Sequence, residues 1–186
     1  YIGRTDAEKH LFVLVEAFAR TLREAKTEPH LLIVGSGTDL ERLKNLTYEL
    51  RIHSHVTFTG RVTDEEIIEL QKVGDVFAMP SPAELQSIAT LEAMASGKPV
   101  VAVSAGALGE LCQKGRNGYL CDKDEIDHFS AALTKLVDHP KLREEFGAES
   151  LAIAKTHDIN HTLDKFEGIY KKVLRAGSRR LPQRLL

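Results

Sequence analysis

Residues 30–37 read HLLIVGSG, and this stretch decides the fold class. Its apolar run does not alternate with polar residues, which is typical of a parallel β-strand covered on both faces. Glycines close the run, and leucines then recur at helical spacing, at Leu40, Leu43, Leu46 and Leu50. The stretch therefore predicts a strand, a tight turn and a helix, in that order.

The same step from strand to helix recurs along the chain. Further strands are predicted at residues 1–2, 56–58, 75–79, 100–103 and 118–121, and three closing helices at about 124–138, 140–155 and 160–176. The helical segments between strands are long enough for right-handed crossovers. We therefore expect the α/β class, with a doubly wound, Rossmann-like parallel sheet of about six strands.

Ligands of such sheets bind at the carboxyl ends of the strands, so the loops that follow the strands are the functional ones. These loops begin near Arg4, Gly35, Gly60, Ser81 and Ser104.

Composition narrows the functional classes. The chain has 186 residues, 42% of them hydrophobic and 28% charged, with a net charge of -2. These values are typical of a globular domain, and they exclude disorder or a fibre for the whole chain. A net charge so close to zero gives no field that gathers a polyanion, so no nucleic-acid partner is expected. No apolar run reaches the length of a membrane span, which is roughly 18 residues.

We expect one domain at 1–176 and a flexible basic tail at 177–186. Contact of this tail with an anionic membrane surface is left open. The first residues read as the end of a strand, which predicts a fragment of a longer protein. Cys112 and Cys121 are interpreted as reduced thiols, which favours a cytoplasmic location, with peripheral contact at the inner face of a membrane left open.

The pair Gly35-x-Gly37 after a strand also suggests a dinucleotide site, but the rest of that fingerprint is missing. Leu40 stands where a third glycine is needed, and no acidic residue follows the next strand to bind a ribose. Nicotinamide or flavin binding is therefore disfavoured. The two glycines either allow a tight turn or approach a phosphate.

Residues 80–102 hold the densest set of candidate functional groups. Glu84 lies in the predicted loop and Glu92 in the helix that follows, so both are expected to face one site. The amides at 87–89 open that helix, and helix amino ends favour anions such as phosphate. A carboxylate beside a phosphate site suits the recognition of hydroxyl groups.

This segment resembles the signature of the retaining GT-B glycosyltransferases of the GT4 type, the glycosyltransferases group 1 family. Residues 1–9, 32–37 and 56–62 resemble further segments of the family in the same order. The resemblance runs from residue 1 to about 122 and corresponds to the carboxyl-terminal, donor-binding half of such an enzyme. It implies that the acceptor is bound mainly by an amino-terminal domain that this chain lacks.

The resemblance implies roles for individual residues. Arg4 and Lys9 are expected to bind the diphosphate of a nucleotide sugar and to stabilise it as a leaving group. Glu92 is expected to accept hydrogen bonds from the ribose, and Glu84 to lie near the donor sugar. Together, Arg4, Lys9 and Glu84 form the candidate catalytic set.

The candidate substrate-binding set is wider. It comprises Glu92, Gly35, Gly37, Arg61, Val62, Gln86, Ser87, Ile88 and Ala89. The backbone at 61–62 is expected to read the base, and the amides at 87–89 to complete a phosphate cradle. Positive charge from side chains and amides then replaces a metal ion, so neither a metal nor another cofactor is expected.

One departure from the family pattern concerns the loop after the first glutamate. The family commonly has Phe-Gly where this chain has Gln86-Ser87. Gln86 either contacts the donor sugar or is a solvated loop residue.

The function expected is transfer of a sugar from a nucleoside diphosphate sugar to a glycan, lipid or small-molecule acceptor, with retention of configuration. A nucleotide-sugar epimerase of GT-B fold and a non-catalytic nucleotide-binding module remain as alternatives. An epimerase would differ from the transferase in its acid and base residues, and a binding module would have no catalytic activity.

Overall fold

The computed structural model describes residues 1–178, with side chains up to residue 176. The chain divides into two compact units, Tyr1–Ala154 and a second unit that begins at Lys155. Most of the predicted basic tail, residues 179–186, lies outside the described residues. The last helix continues to Ser178 and thus includes the first two residues assigned to that tail.

The strands and helices alternate as predicted. The strands are β1 (Leu31–Val34), β2 (Val56–Gly60), β3 (Phe77–Met79), β4 (Val100–Val103) and β5 (Gly118–Cys121). The helices are α1 (Leu11–Glu24), α2 (Leu40–Glu49), α3 (Asp64–Val73), α4 (Ile88–Ala95), α5 (Leu108–Leu111), α6 (Ile126–Asp138), α7 (Pro140–Lys155) and α8 (Ile159–Ser178).

All strand pairings between these elements are parallel, which confirms the doubly wound α/β class. β1 pairs with β2, and a second sheet has the order β3-β4-β5. The strand predicted at residues 1–2 is reduced to a single parallel bridge between Ile2 and Val34. Within residues 1–178 there are five strands in two sheets where about six were predicted, because residues 1–2 form only a bridge to β1.

The core surrounds β4, whose four residues are all buried. This burial explains why the apolar run at 100–103 does not alternate, since helices cover both faces of the sheet. On one face α1 packs against α6, and the Thr21 hydroxyl joins them by donating to the carbonyl oxygens of Ala17 and Ser130, at 3.0 and 3.3 Å. This packing joins the two helices across one face of the sheet.

Cys112 and Cys121 are buried and form no disulfide, which confirms their interpretation as free thiols. Burial raises the pKa of Cys112 to about 12 and that of Cys121 to about 11. Both thiols therefore stay protonated at neutral pH, and we assign them no chemical role.

The second unit is described by itself. Its helix α8 is amphipathic, and its large apolar side chains are more than half exposed: Ile159, Leu163, Phe166, Ile169, Tyr170, Val173 and Leu174. Among the residues that the structure describes, no helix is both long and apolar enough to cross a bilayer. The cytoplasmic location stays a prediction.

Candidate functional site

The loop after Ile2 and the loop after β1 are joined by hydrogen bonds at the carboxyl ends of the strands. The backbone N–H of Thr5 donates to the Ser36 carbonyl at 3.1 Å, and that of Asp39 donates to the Thr5 carbonyl at 2.9 Å. The Asp6 carboxylate accepts from the backbone N–H of Thr38 at 2.8 Å. This backbone hydrogen bond is the main cause that lowers the pKa of Asp6.

Gly35 and Gly37 make this junction possible. A Cβ on Gly35, whose φ is +127°, would overlap the carbonyl oxygen of Gly3. A Cβ on Gly37 would lie 2.6 Å from both the Asp6 carboxylate and the backbone of Thr5. Contact between the two loops is thus sufficient to explain both glycines, whether or not a phosphate also approaches them.

The structure brings Lys9 and Glu84 together, although 75 positions separate them in the chain. The Lys9 ammonium donates to Glu84 Oε1 at 2.7 Å, and the two side chains are only 14% and 11% exposed. Lys9 sits at the end of a short 3-10 turn, Ala7–Lys9, which directs its side chain towards the loop after β3. Two of the three predicted catalytic side chains therefore form one partly buried ion pair.

Arg4 has a different environment. Its guanidinium pairs with the carboxylates of Asp6 and Glu8, the latter at 2.8 Å, and its side chain is 66% exposed. The Tyr1 hydroxyl donates to the Arg4 carbonyl at 2.6 Å and so fixes the backbone of this loop. Burial first, and then the negative charge of Glu84, raises the pKa of that hydroxyl. Glu84 is therefore electrostatically close to the Arg4 loop.

The backbone of Glu84 is held by the loop after β4. The N–H of Ala107 donates to the Glu84 carbonyl at 3.0 Å. Gly106 has a φ of +51°, and a Cβ there would overlap the same carbonyl oxygen. The sequence analysis assigned Gly106 no role. The signal that could have found it is the glycine itself, in a loop after a buried strand.

Helix α4 begins at the end of the loop that follows β3, which is the loop that contains Glu84. Ser87 precedes it in the left-handed conformation, with φ +50° and ψ +60°. The Ser87 hydroxyl pairs with the Thr90 hydroxyl at 2.8 Å, and Ser87 makes no side-chain capping bond to the helix. The Ser87 side chain thus leaves the amides of Ile88 and Ala89 uncapped, and anion binding by these amides stays a prediction.

Glu92 lies on α4 and contacts α3. The Gln71 side chain donates to Glu92 Oε2 at 3.4 Å and accepts from the Ser96 hydroxyl at 3.0 Å. Among the described residues, no hydrogen bond joins Glu84 to Glu92. The two glutamates therefore have separate partners, and only Glu84 shares a contact with a predicted cation.

The remaining predicted residues lie on loops. Arg61 and Gln86 are exposed, and Val62 is half-buried. A capping box fixes the loop that holds Arg61 and Val62, because Thr63 and Glu66 exchange hydrogen bonds at the start of α3. This loop therefore enters its helix with a defined geometry.

Sequence reasoning missed His10 and Asp124. The His10 ring and the Asp124 carboxylate lie 2.8 Å apart, and both residues have positive φ, +50° and +62°. Strained backbone of this kind persists only where surrounding contacts hold it. His10 directly follows Lys9 and precedes α1, so the pair fixes the turn that carries Lys9. Nothing in the sequence pattern connects position 10 to position 124.

Two further features of the described residues bear on the site. Within residues 1–178, no group of three or more His, Cys, Asp or Glu side chains is arranged to hold a metal ion. A cavity of about 670 Å³ lies between β1 and β3, and neither Lys9 nor Glu84 lines it. The candidate site is thus formed by the converging loops and not by this cavity.

The family model described as "Glycosyl transferases group 1" matches residues 1–151, which is most of the chain. The chain belongs to this glycosyltransferase family. The matched residues include Lys9, Glu84, Ser87 and Glu92, so every loop of the candidate site falls within the family's own domain.

Individual relatives give the same result. D-inositol 3-phosphate glycosyltransferase of Rhodococcus erythropolis is 31% identical over 92% of the chain, which covers 40% of that relative. The C-terminal domain of a group 1 glycosyltransferase from Francisella tularensis has a TM-score of 0.78 at 25% identity, over 85% of this chain and 84% of that one. The chain thus spans less than half the length of the curated relatives it matches.

The fold is also shared with a more distant structure. The HepE protein of Anabaena, solved in complex with UDP, has a TM-score of 0.79 at 24% identity, over 91% of this chain and 47% of that one. This likeness confirms the expected GT-B type of architecture for the first unit.

Proposed function

We propose that this chain is the donor-binding part of a retaining glycosyltransferase and binds a nucleoside diphosphate sugar at the loops around Lys9 and Glu84. The observation that carries the proposal is the partly buried Lys9–Glu84 pair beside the amino end of α4. HepE, which shares the fold, was solved with UDP bound. The acceptor, a glycan, lipid or small molecule, would be bound mainly by a domain outside this chain.

Charge supports a diphosphate at this position. Lys9 is a compact cation on the side of the loop that faces Glu84, and the first-turn amides of α4 add a positive partial charge. Arg4 would contribute once its guanidinium turns from Asp6 and Glu8 to the phosphates. We propose that these groups together stabilise the leaving diphosphate without a metal ion.

Glu84 gives the pair a second role. Before the donor binds, it neutralises the Lys9 ammonium, which would otherwise be a largely buried and unpaired charge. When a diphosphate binds the Lys9 ammonium in place of Glu84, the Glu84 carboxylate becomes available to accept hydrogen bonds from the sugar hydroxyls. In the proposed retaining reaction the acceptor attacks the face that the diphosphate leaves, and a phosphate oxygen takes the proton, so no protein base is assigned.

Calorimetric titration tests the proposal. The chain is titrated with UDP, GDP and ADP in the presence of EDTA, and we expect at least one of them to bind. Lys9→Ala should weaken that binding by about 10- to 150-fold, because a charged hydrogen bond contributes roughly 1.5–3 kcal/mol. Lys72→Ala is the matched control, since Lys72 pairs with Glu69 on an exposed face of α3.

Two outcomes would contradict the proposal. Binding that disappears when EDTA is added would show that a metal ion is required. Equal affinities of the Lys9→Ala and Lys72→Ala variants, both with unchanged stability, would remove Lys9 from the site. A nucleotide-binding chain whose complete enzyme epimerises the donor without transferring it would instead favour the epimerase alternative.

The role of Glu92 is tested separately. Glu92→Ala should weaken binding of the ribonucleotide more than binding of its 2′,3′-dideoxy analogue, because only the ribonucleotide has hydroxyls for a carboxylate. The expected difference is roughly 1.5–3 kcal/mol per hydrogen bond lost. Equal losses for the two ligands would exclude the ribose role.

A further inference from the structure

Left-handed backbone joins two distant loops of the first unit. Within residues 1–178, four residues other than glycine have a positive φ: His10, Arg51, Ser87 and Asp124. This conformation costs free energy in residues that have a Cβ, and it persists only where surrounding contacts enforce it. His10 and Asp124 contact each other, with His10 Nδ1 lying 2.8 Å from Asp124 Oδ1 across 114 positions of the chain. One contact therefore joins two strained turns.

His10 connects the turn that carries Lys9 to helix α1. It ends the 3-10 turn Ala7–Lys9 and directly precedes α1, and its carbonyl accepts from the N–H of Val13 at 3.0 Å. The helix itself is anchored in the core, since its first residue, Leu11, is 3% exposed. The direction of Lys9 relative to the core therefore depends on the backbone angles of His10.

Asp124 belongs to the loop between β5 and α6, which contains none of the predicted site residues. Its carbonyl accepts from the N–H of Ile126 at 3.1 Å, at the start of α6. Phe129, in the first turn of α6, is completely buried, and α6 packs against α1. The Asp124 carboxylate thus approaches His10 from a loop that is anchored to the same core.

We infer that His10 and Asp124 are positioning residues of the donor site, which hold the left-handed turn that presents the Lys9 ammonium to the diphosphate. The inference rests on the proposed function and deepens it, because it adds the loop after β5 to the site. Neither residue is assigned a contact with the nucleotide. Without this contact the turn has no side-chain bond that holds its left-handed conformation, and Lys9 loses its fixed direction.

The contact acts through its geometry more than through its charge. The Asp124 side chain is 47% exposed, and ion pairs at such exposure contribute little through charge alone. An asparagine carbonyl accepts the same hydrogen bond from the ring, and asparagine also tolerates a positive φ. Asp124→Asn should therefore keep the direction of Lys9, whereas Asp124→Ala should not.

Calorimetric titration with UDP, GDP and ADP compares Asp124→Ala, Asp124→Asn and Asp127→Ala, each in the chain with Lys9 and in the Lys9→Ala variant. Asp127→Ala is the matched control, since Asp127 pairs with Arg20 and so links the same two helices. We expect Asp124→Ala to weaken nucleotide binding by about five- to tenfold, and the other two to change it by less than about twofold. In the Lys9→Ala chain, Asp124→Ala should have no further effect, because the side chain that it positions is gone.

Urea unfolding checks that each variant is folded at the temperature of titration. If Asp124→Ala does not fold, His10→Gly replaces it, because glycine adopts the left-handed turn without strain and removes the same contact. The same loss of affinity is then expected.

Three results would overturn the inference while Lys9 stays in the site. In the first, Asp124→Ala binds as tightly as Asp127→Ala. In the second, Asp124→Asn loses as much affinity as Asp124→Ala. In the third, Asp124→Ala causes the same loss in the Lys9→Ala chain, so that its effect does not pass through Lys9. If Lys9→Ala itself leaves the affinity unchanged, or if no nucleotide binds, the proposed function fails and this inference fails with it.

Discussion

At the scale of single residues, the buried amino group of Tyr1 makes the free energy of unfolding of this 186-residue chain depend on pH. Its pKa is 8.0 when unfolded and about 5 when folded, so between these values the unfolded chain binds one more proton. The free energy of unfolding should therefore rise with pH by about 1.4 kcal/mol per unit in this window, and fall as the pH drops towards 5.

Urea unfolding between pH 5 and pH 8 measures this slope. Acetylation of the Tyr1 nitrogen is the control, because it removes the titrating group and leaves Glu28, His30 and Asp75 at the cavity unchanged. If the acetylated and free chains show the same pH dependence, the amine is not the responsible group.

Ser87 combines a strained backbone with a buried hydrogen bond, so two substitutions separate the effects. Ser87→Ala loses the bond to Thr90 but keeps the positive φ, and should lower the free energy of unfolding by about 1 kcal/mol. Ser87→Gly loses the same bond but relieves strain of about 1 kcal/mol, so it should leave stability nearly unchanged. Chemical denaturation of both variants measures the difference, and an equal loss would exclude strain at this position.

At the scale of elements, the loop after β4 controls the position of Glu84. Gly106→Ala places a Cβ against the Glu84 carbonyl at a positive φ, and should destabilise the chain by about 2–4 kcal/mol and weaken nucleotide binding. Gly109→Ala is the matched control, because its Cβ meets no atom within 4 Å and α5 favours alanine. Similar behaviour of the two variants would show that this loop does not position Glu84.

The elements were also the part of the structure that the sequence predicted best. The helices predicted at 124–138 and 140–155 were found at Ile126–Asp138 and Pro140–Lys155, since apolar spacing is a local property. The strand predicted at residues 1–2 is reduced to a single bridge between Ile2 and Val34. The length of a ladder depends on pairing with a distant segment of the chain, which a local apolar pattern cannot show.

The sequence named the residues of the candidate site, from local spacing or from the family resemblance, but it did not show the contacts between distant segments. The spacing of Glu84, Ser87 and Glu92 is local, and the sequence identified all three as candidates. The Lys9–Glu84 pair spans 75 positions and the His10–Asp124 pair spans 114, and these contacts depend on how the sheet is wound. Arg4 pairs with its close neighbours Asp6 and Glu8. The sequence cannot show whether the guanidinium binds these carboxylates or a phosphate, because that depends on whether the nucleotide is bound.

At the scale of the whole molecule, we expect the isolated chain to bind nucleotide but not to transfer sugar at an appreciable rate. Positioning of an acceptor contributes roughly 7–11 kcal/mol to lowering such a barrier, and the chain spans less than half of its curated relatives. Turnover by this chain and by a complete enzyme, assayed with the same donor, measures the difference. Full turnover by the 186 residues alone would contradict the proposal that the acceptor is bound mainly by a domain outside this chain.

The reaction of the two buried cysteines with an alkylating reagent can measure unfolding of this chain. Iodoacetamide reacts with thiolates, and Cys112 and Cys121 are 0% and 3% exposed, with their pKa raised to about 12 and 11. Alkylation therefore requires local or global opening of the structure. Its rate reports the fraction of molecules in which the cysteine is exposed. Because Cys121 lies on the edge strand β5 and Cys112 lies behind β4, faster modification of Cys121 would report fraying of the sheet edge, whereas equal rates would report unfolding of the core as one unit.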